Sequence, residues 1–188
     1  QHVFWMARFL DANLFPNDFI ADYFQSVAPV GYANLYRLMA SLGIHPLLFN
    51  KILPLILGII ATGYCFGTCM QIIPVPITGF MATLMFNQTL WMKDDLVSGT
   101  GRAFAYPFLV AFIYYLLRQS LLPCLVTIIL LGIFYPQCVF ICAGVLILRL
   151  WNWENFRFSQ QRYDYIFSIV GLGVAFFVLL PYALKSSE

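Results

Sequence analysis

The sequence predicts an all-α fold: a multi-pass transmembrane helical bundle in a single membrane domain, with short, proline-broken helices and an interfacial helix. Hydrophobic residues make up 62% of the 188 residues and charged residues only 10%, whereas a soluble domain carries about 25% charged residues. Long apolar runs separate the few charges, as expected where lipid is the solvent. The net charge is +2 without a Lys/Arg cluster, so nucleic acid is not an expected partner.

Residues 1–46 form a polar region that is predicted to lie at the membrane–water interface. Carboxylates and arginines alternate there with aromatic rings, a composition typical of such interfaces. Apolar residues at helical spacing predict a short amphipathic helix over residues 32–42, which Gly43 and Pro46 would end. Because the chain begins at Gln1 rather than Met, we expect further sequence before it.

A turn is predicted at Phe15-Pro16-Asn17-Asp18. Asn17 or Asp18 would cap a short helix that runs to Gln25.

Six apolar stretches are predicted to span the bilayer: residues 52–70, 77–92, 103–117, 121–134, 138–150 and 165–184. The first has 19 residues without a charge, or about 28 Å of helix, enough for a bilayer core. The 28 residues from Leu121 to Leu148 would make a helix of about 42 Å, which is longer than the hydrocarbon core of a bilayer. Tyr135-Pro136-Gln137 divides this run into two short helices that form a hairpin; one long, kinked helix is the alternative.

The five cysteines all lie within apolar runs, and both histidines lie outside them. Cys65 and Cys69, like Cys138 and Cys142, are four residues apart and share a helix face. Since a metal site needs further ligands nearby, we interpret the cysteines as small apolar packing residues.

An acidic surface is the strongest functional signal. Two spans separate residues 1–46 from the loop 93–102, so both lie on the same side of the membrane. That side gathers Asp11, Asp18, Asp22, Asp94, Asp95 and Arg102. Carboxylates bind divalent cations or act as general bases, and an arginine beside glycines binds phosphate. The alternative is that these are solvated loop charges, with Lys93 balancing the adjacent Asp94 and Asp95.

Other chemical motifs do not occur in the sequence. It has no Gly-x-Ser-x-Gly, Walker, Rossmann or His-Glu-x-x-His pattern. No charged residue lies deep in a predicted span, so a proton- or ion-relay transporter would have little to use.

The pattern of loops and short helices resembles the membrane-embedded GT-C class of glycosyltransferases, which use polyprenyl-phosphate-linked sugars. The first likeness is the acidic, aromatic loop from Asp11 to Asp22, followed by an interfacial helix. The second is Lys93-Asp94-Asp95, which leads through Gly101-Arg102 into a short helix. The third is the helix break at Phe134-Tyr135-Pro136-Gln137.

The resemblance implies roles for these residues. In that class an Asp early in the first external loop is the catalytic base, which here implies Asp11, Asp18 or Asp22, or an Asp before Gln1. Asp94 and Asp95 would hold a divalent metal ion, Mg²⁺ or Mn²⁺, and Arg102 the lipid phosphate.

Three functions follow as hypotheses for this integral membrane chain. The first is a glycosyltransferase that moves a sugar from a polyprenyl-phosphate carrier to an unknown acceptor on the non-cytoplasmic face, with membrane lipids and a lipid-linked donor as partners. The second is a non-enzymatic accessory or scaffold subunit that contacts other membrane subunits. The third is a transporter or flippase.

Overall fold

In the computed structural model, the part of the chain that the structure describes is all-α apart from one short pair of β-strands. The structure describes residues 3–11, 13–92, 94–152, 157–158 and 162–185, with the backbone alone at Asp94, Asp95, Asn152, Arg157 and Lys185. The α-helices of these residues are α1 (Phe19–Val27), α2 (Val30–Ser41), α3 (Pro46–Ile72), α4 (Pro76–Met92), α5 (Asp94–Val97), α6 (Ala105–Leu117), α7 (Leu121–Phe134), α8 (Gln137–Arg149) and α9 (Arg162–Lys185). Two 3₁₀ helices cover Phe4–Phe9 and Gly101–Phe104, and β1 (Trp151–Asn152) pairs antiparallel with β2 (Arg157–Phe158).

Local capping sets the beginnings of the first helices. The Asp18 carboxylate accepts hydrogen bonds from the backbone N–H groups of Ile20 and Ala21, at 2.9 and 3.2 Å, and thereby caps α1. The capping residue is therefore Asp18 and not Asn17. The His45 Nδ1 accepts from the Leu47 N–H at 3.2 Å at the start of α3.

The amphipathic helix predicted over residues 32–42 is α2, and it ends where the sequence suggests. Gly43 has a φ of +82°, the left-handed conformation that closes a helix at little cost to glycine. Its N–H donates to the Ala40 carbonyl, and the Ile44 N–H donates to the Met39 carbonyl, both at 3.0 Å.

Each apolar stretch predicted as a span is occupied by a helix. The largest difference is α3, which begins at Pro46 rather than near residue 52, because exposed Lys51 is accommodated on its surface. The break at Tyr135 and Pro136 is present, since α7 ends at Phe134 and α8 begins at Gln137. The alternative of one long, kinked helix is therefore wrong.

The buried side chains form two cores. The first joins the N-terminal region to α3, α4, α5 and the second 3₁₀ helix, with Trp5, Tyr36, Leu53 and Leu96 among its members. The second lies among α6, α7, α8 and α9 around Phe112. The first core therefore positions the polar N-terminal region and the loop after α4.

Among the described residues, two helices are long and apolar enough to cross a membrane, by length and composition: Pro46–Ile72 and Arg162–Leu184. The apolar helices α6, α7 and α8 are shorter. Only 33% and 22% of the most apolar windows of the two long helices are buried. Large side chains such as Ile59, Leu122 and Phe177 are 71–76% exposed.

Candidate functional site at the polar end

The acidic N-terminal region and the loop after α4 are in contact at one end of the bundle. We call residues 3–50 and 94–104 the polar end. Trp5 and Met6 from the first 3₁₀ helix, Tyr32 from α2 and Phe104 from the second 3₁₀ helix all belong to the first core. The rings of Tyr32 and Phe104 meet edge to face, with centroids 6.4 Å apart. The two segments that the sequence assigned to one surface are thus packed together.

A buried hydrogen-bond network fastens this loop to α2 and α3. The Tyr36 hydroxyl donates to the Gly99 carbonyl at 3.1 Å and lies 2.8 Å from the Asn50 amide. With its nitrogen facing the loop, the Asn50 amide donates one N–H to the Tyr36 hydroxyl at 2.8 Å and shares the other between the Ser98 and Gly99 carbonyls, at 3.0 and 3.3 Å. This orientation satisfies every group, because the hydroxyl accepts one hydrogen bond and donates the other.

Two glycines permit the close approach of the loop. Gly99 has a φ of +58°, and a Cβ there would lie 2.3 Å from the Asn50 side-chain amide. A Cβ at Gly101 would lie 3.2 Å from the Phe134 carbonyl. Phe104 then stacks on Phe134, with ring centroids 4.3 Å apart. The loop is therefore held by α3 on one side and by the end of α7 on the other.

Arg8 organises the acidic loop between the first 3₁₀ helix and α1. Its guanidinium donates to the Leu14 carbonyl at 3.1 Å, the Phe15 carbonyl at 2.6 Å and the Gln25 side chain at 3.1 Å. It also forms an ion pair with the Asp22 carboxylate at 2.6 Å. One arginine thus ties both ends of the loop together, as its forked donors allow.

The three candidate bases have different surroundings. Asp18 caps α1, and Asp22 is paired with Arg8. Asp11 is exposed and accepts one hydrogen bond, from the Asn13 N–H at 2.9 Å. Of the three carboxylates, Asp11 is the one that neither begins a helix nor joins an ion pair within the described part of the chain.

The predicted metal pair begins α5, immediately after α4. The side chains of Asp94 and Asp95 lie outside the described residues, and Leu96, which follows them, is fully buried in the first core. Among the side chains that the structure describes, no group of three or more His, Cys, Asp or Glu is placed to hold a metal ion. The assignment of Asp94 and Asp95 to a metal site therefore stays a prediction.

The predicted phosphate ligand, Arg102, is an exposed side chain between two buried neighbours, Gly101 and Ala103. The fixed backbone of the second 3₁₀ helix therefore places it on the outer surface of the polar end.

Tyr32 and Tyr36 are buried neighbours in the polar end that the sequence analysis treated only as interfacial aromatics. Burial raises the pKa of both hydroxyls above the ordinary value of tyrosine. The Tyr32 hydroxyl is buried and has no hydrogen-bond partner among the described residues. Their spacing of four residues, which places them on one helix face, is the signal that would have grouped them.

An ion pair at the opposite end of the bundle was also missed. Arg149 at the end of α8 lies 2.9 Å from Asp164 at the start of α9, and their side chains are only 15% and 14% exposed. The guanidinium also donates to the Leu116 carbonyl at 3.2 Å and lies 4.6 Å from the centre of the Phe167 ring. This pair joins α6, α8 and α9 at the end of the bundle opposite to the polar end.

Comparison with known proteins gives no further assignment: no family model, curated protein or solved structure matches the chain.

Proposed function

We propose that this chain is a multi-pass integral membrane domain in which α3, α4, α6, α7, α8 and α9 cross the bilayer. The exposure of the helices supports this, because the core helices of a soluble protein are mostly buried, whereas large apolar side chains cover the outside of α3 and α9. Soluble monomers rarely expose apolar patches larger than about 300–600 Å². Alternating crossings put the polar end on one side and the Arg149–Asp164 pair on the other.

Within this framework, the polar end is the site of a GT-C-like glycosyltransferase. It would transfer a sugar from a polyprenyl-phosphate carrier to an acceptor on the non-cytoplasmic face. The observation that carries this proposal is the Tyr36–Gly99 hydrogen bond, because it holds the segment after Asp94 and Asp95 against the region that contains the N-terminal acids. A transferase of this kind needs a base and a phosphate site within one cleft.

Asp11 is the proposed base, and Arg102 the proposed phosphate ligand. Asp11 can accept the proton of an acceptor hydroxyl without breaking a helix cap or an ion pair, whereas Asp18 and Asp22 cannot. The Arg102 guanidinium would bind phosphate oxygens in a forked manner. Asp94 and Asp95 would hold the metal ion, and their side chains lie outside the described residues. The roles proposed for Asp11 and Arg102 therefore do not include a metal ion.

The test is donor turnover by the full chain in lipid nanodiscs. The probes are decaprenyl phosphates that carry radiolabelled hexose or pentose, with washed membranes as the source of acceptor. We expect Asp11→Asn to lower turnover by at least about 100-fold, as loss of a general base does, with no change in melting temperature.

Asp22→Asn is the matched control, since it makes the same change in charge nearby. It should lower the melting temperature by releasing Arg8 and should keep most of the turnover below that temperature. Wild-type turnover by Asp11→Asn, or no turnover of any donor by the wild type in the presence of Mg²⁺ and Mn²⁺, would remove the enzymatic assignment.

The second candidate is a non-enzymatic accessory or scaffold subunit. The structural uses of Asp18 and Asp22 favour it, since they account for two of the acids without catalysis. This function predicts that mild detergent extracts the chain in a complex of larger mass, and that Asp11→Asn has no effect on that complex. The transporter hypothesis stays an untested prediction.

A further inference from the structure

A groove with a basic end lies between α3 and α6, away from the polar end. Its volume is about 580 Å³, and its lining residues are Ile59, Ile60, Gly63, Tyr64, Gly67, Tyr114, Tyr115 and Arg118. A second, almost wholly apolar cavity of about 440 Å³ adjoins it and extends along α7. Ile60, Tyr64 and Tyr115 line both. Each volume falls in the range of about 300–1,000 Å³ that is usual for ligand sites.

Two glycines one helical turn apart give the groove its shape. A Cβ at Gly67 would lie 2.8 Å from the Tyr114 ring, so this ring packs directly on the α3 backbone. A Cβ at Gly63 would meet no atom within 4 Å. The helices therefore touch at Gly67 and leave open space at Gly63, where an occupant can lie against the backbone.

The three tyrosine hydroxyls along the groove all form hydrogen bonds within it. The hydroxyls of Tyr64 and Tyr115 lie 2.9 Å apart and form a hydrogen bond to each other. The Tyr114 hydroxyl accepts a hydrogen bond from Arg118 Nη1 at 3.0 Å. The groove therefore presents apolar surface beside its polar groups, and the adjoining cavity is almost wholly apolar, which suits hydrocarbon.

Arg118 supplies an unneutralised charge at the end of this apolar surface. It is exposed, and no carboxylate forms a salt bridge with it within the described part of the chain, in contrast to Arg8 and Arg149. Its forked guanidinium retains donors beyond the one given to Tyr114.

The surroundings of Arg118 are also positive. Arg149 reaches the Leu116 carbonyl, and Tyr163, the neighbour of Arg162, donates to the Gln119 carbonyl, so the start of α9 lies beside the end of α6. The described side chains here comprise three arginines, Arg118, Arg149 and Arg162, and one acid, Asp164. An anion is therefore favoured over a neutral or cationic group.

We propose that this groove binds a phospholipid with a net negative headgroup, with its phosphate on Arg118 and its acyl chains in the two adjoining cavities. The two cavities share the Tyr64–Tyr115 pair and otherwise have different lining residues apart from Ile60, which fits a lipid with two chains. The proposal rests on the membrane placement of the chain and is independent of glycosyl transfer, since the groove and the polar end lie at opposite ends of α6. Failure of either assay thus leaves the other unaffected.

The test is native mass spectrometry of the full chain, delipidated in mild detergent and titrated with phosphatidylglycerol or phosphatidylcholine of identical acyl chains. We expect about tenfold tighter binding of phosphatidylglycerol, because both lipids carry the phosphate but the positive arginines at this end disfavour the choline ammonium of phosphatidylcholine. In Arg118→Gln the affinity for phosphatidylglycerol should fall to about the affinity for phosphatidylcholine. Arg118→Lys should retain part of the preference for phosphatidylglycerol. Lys51→Gln, which removes an exposed charge at the other end of α3 and outside the groove, should leave it unchanged.

Gly63→Leu tests the groove itself, because a Cβ at this position meets no atom within 4 Å and the larger side chain would extend into the open space. It should weaken the binding of both lipids while the melting temperature is maintained. Equal binding of the two lipids by the wild type, or an undiminished preference in Arg118→Gln, would overturn the proposal. Displacement of phosphatidylglycerol by 10 mM inorganic phosphate would do so too, because it would identify a free-phosphate site.

Discussion

Tyr32 and Tyr36 permit the same substitution to be made twice on one helix with opposite expected results. Tyr36→Phe removes a buried hydroxyl that bonds the Gly99 carbonyl and the Asn50 amide. The Gly99 carbonyl would keep only its 3.3 Å hydrogen bond from Asn50. The loss of a buried hydrogen bond with partly unsatisfied partners costs about 1–3 kcal/mol, and the remaining bond puts the expected cost at about 1–2 kcal/mol.

Tyr32→Phe removes a hydroxyl that is equally buried but has no hydrogen-bond partner among the described residues. Because desolvation of that hydroxyl is uncompensated, its removal should be neutral or should stabilise the fold by up to about 1 kcal/mol.

The assay is reversible unfolding of both variants in mixed micelles, followed by far-ultraviolet circular dichroism at pH 7. The two variants lose the same atom from the same residue type, so they control for one another. A loss of stability in Tyr32→Phe as large as that in Tyr36→Phe would refute the assigned network.

Two more predictions concern packing and pH. A Cβ at Gly132 would lie 1.7 Å from Val178 Cγ1, whereas one at Gly144 would meet nothing within 4 Å. In the same unfolding assay, the clash in Gly132→Ala should cost about 1–3 kcal/mol, reduced by the higher helix propensity of alanine. Gly144→Ala should be neutral or should stabilise the fold by up to about 1 kcal/mol. Any cost for Gly144→Ala that matches the cost for Gly132→Ala would contradict the α7–α9 contact. Since burial raises the pKa of Tyr36 in the folded state, its contribution to stability should be complete below the ordinary tyrosine pKa of about 10 and should fall as the pH rises above it. An unfolding series from pH 8 to 11 should show a shallower decline in Tyr36→Phe; an identical decline would exclude this origin.

The helices were predictable because apolar runs and helix-ending residues are local features of the sequence. Gly43 marked the end of α2, and Pro136 marked the break between α7 and α8. The start of α3 was placed too late, because a charge does not end a helix when its side chain is exposed on the helix surface, as that of Lys51 is.

The contacts of the candidate site were much less predictable. The even number of predicted spans between them placed the acidic segments on one side of the membrane. Nothing in the sequence, however, pairs Tyr36 with Gly99 across 63 positions. Nor does the local sequence show that Asp22 forms an ion pair with Arg8 instead of acting as a catalytic base. These pairings arise from tertiary packing, which decides which polar groups are satisfied and which remain available.

The most direct test of the proposed membrane architecture is labelling of single introduced cysteines with a membrane-impermeant maleimide in intact cells and in permeabilised cells. Asn13→Cys and Val97→Cys replace exposed residues of the polar end, and Arg162→Cys replaces an exposed residue at the other end. The unsubstituted chain serves as the control for its five native cysteines, which are buried or partly buried. We predict that Asn13→Cys and Val97→Cys are labelled in intact cells, and that Arg162→Cys is labelled only after permeabilisation. Labelling of Asn13→Cys and Val97→Cys from opposite sides would contradict a single polar end and, with it, the proposed active site.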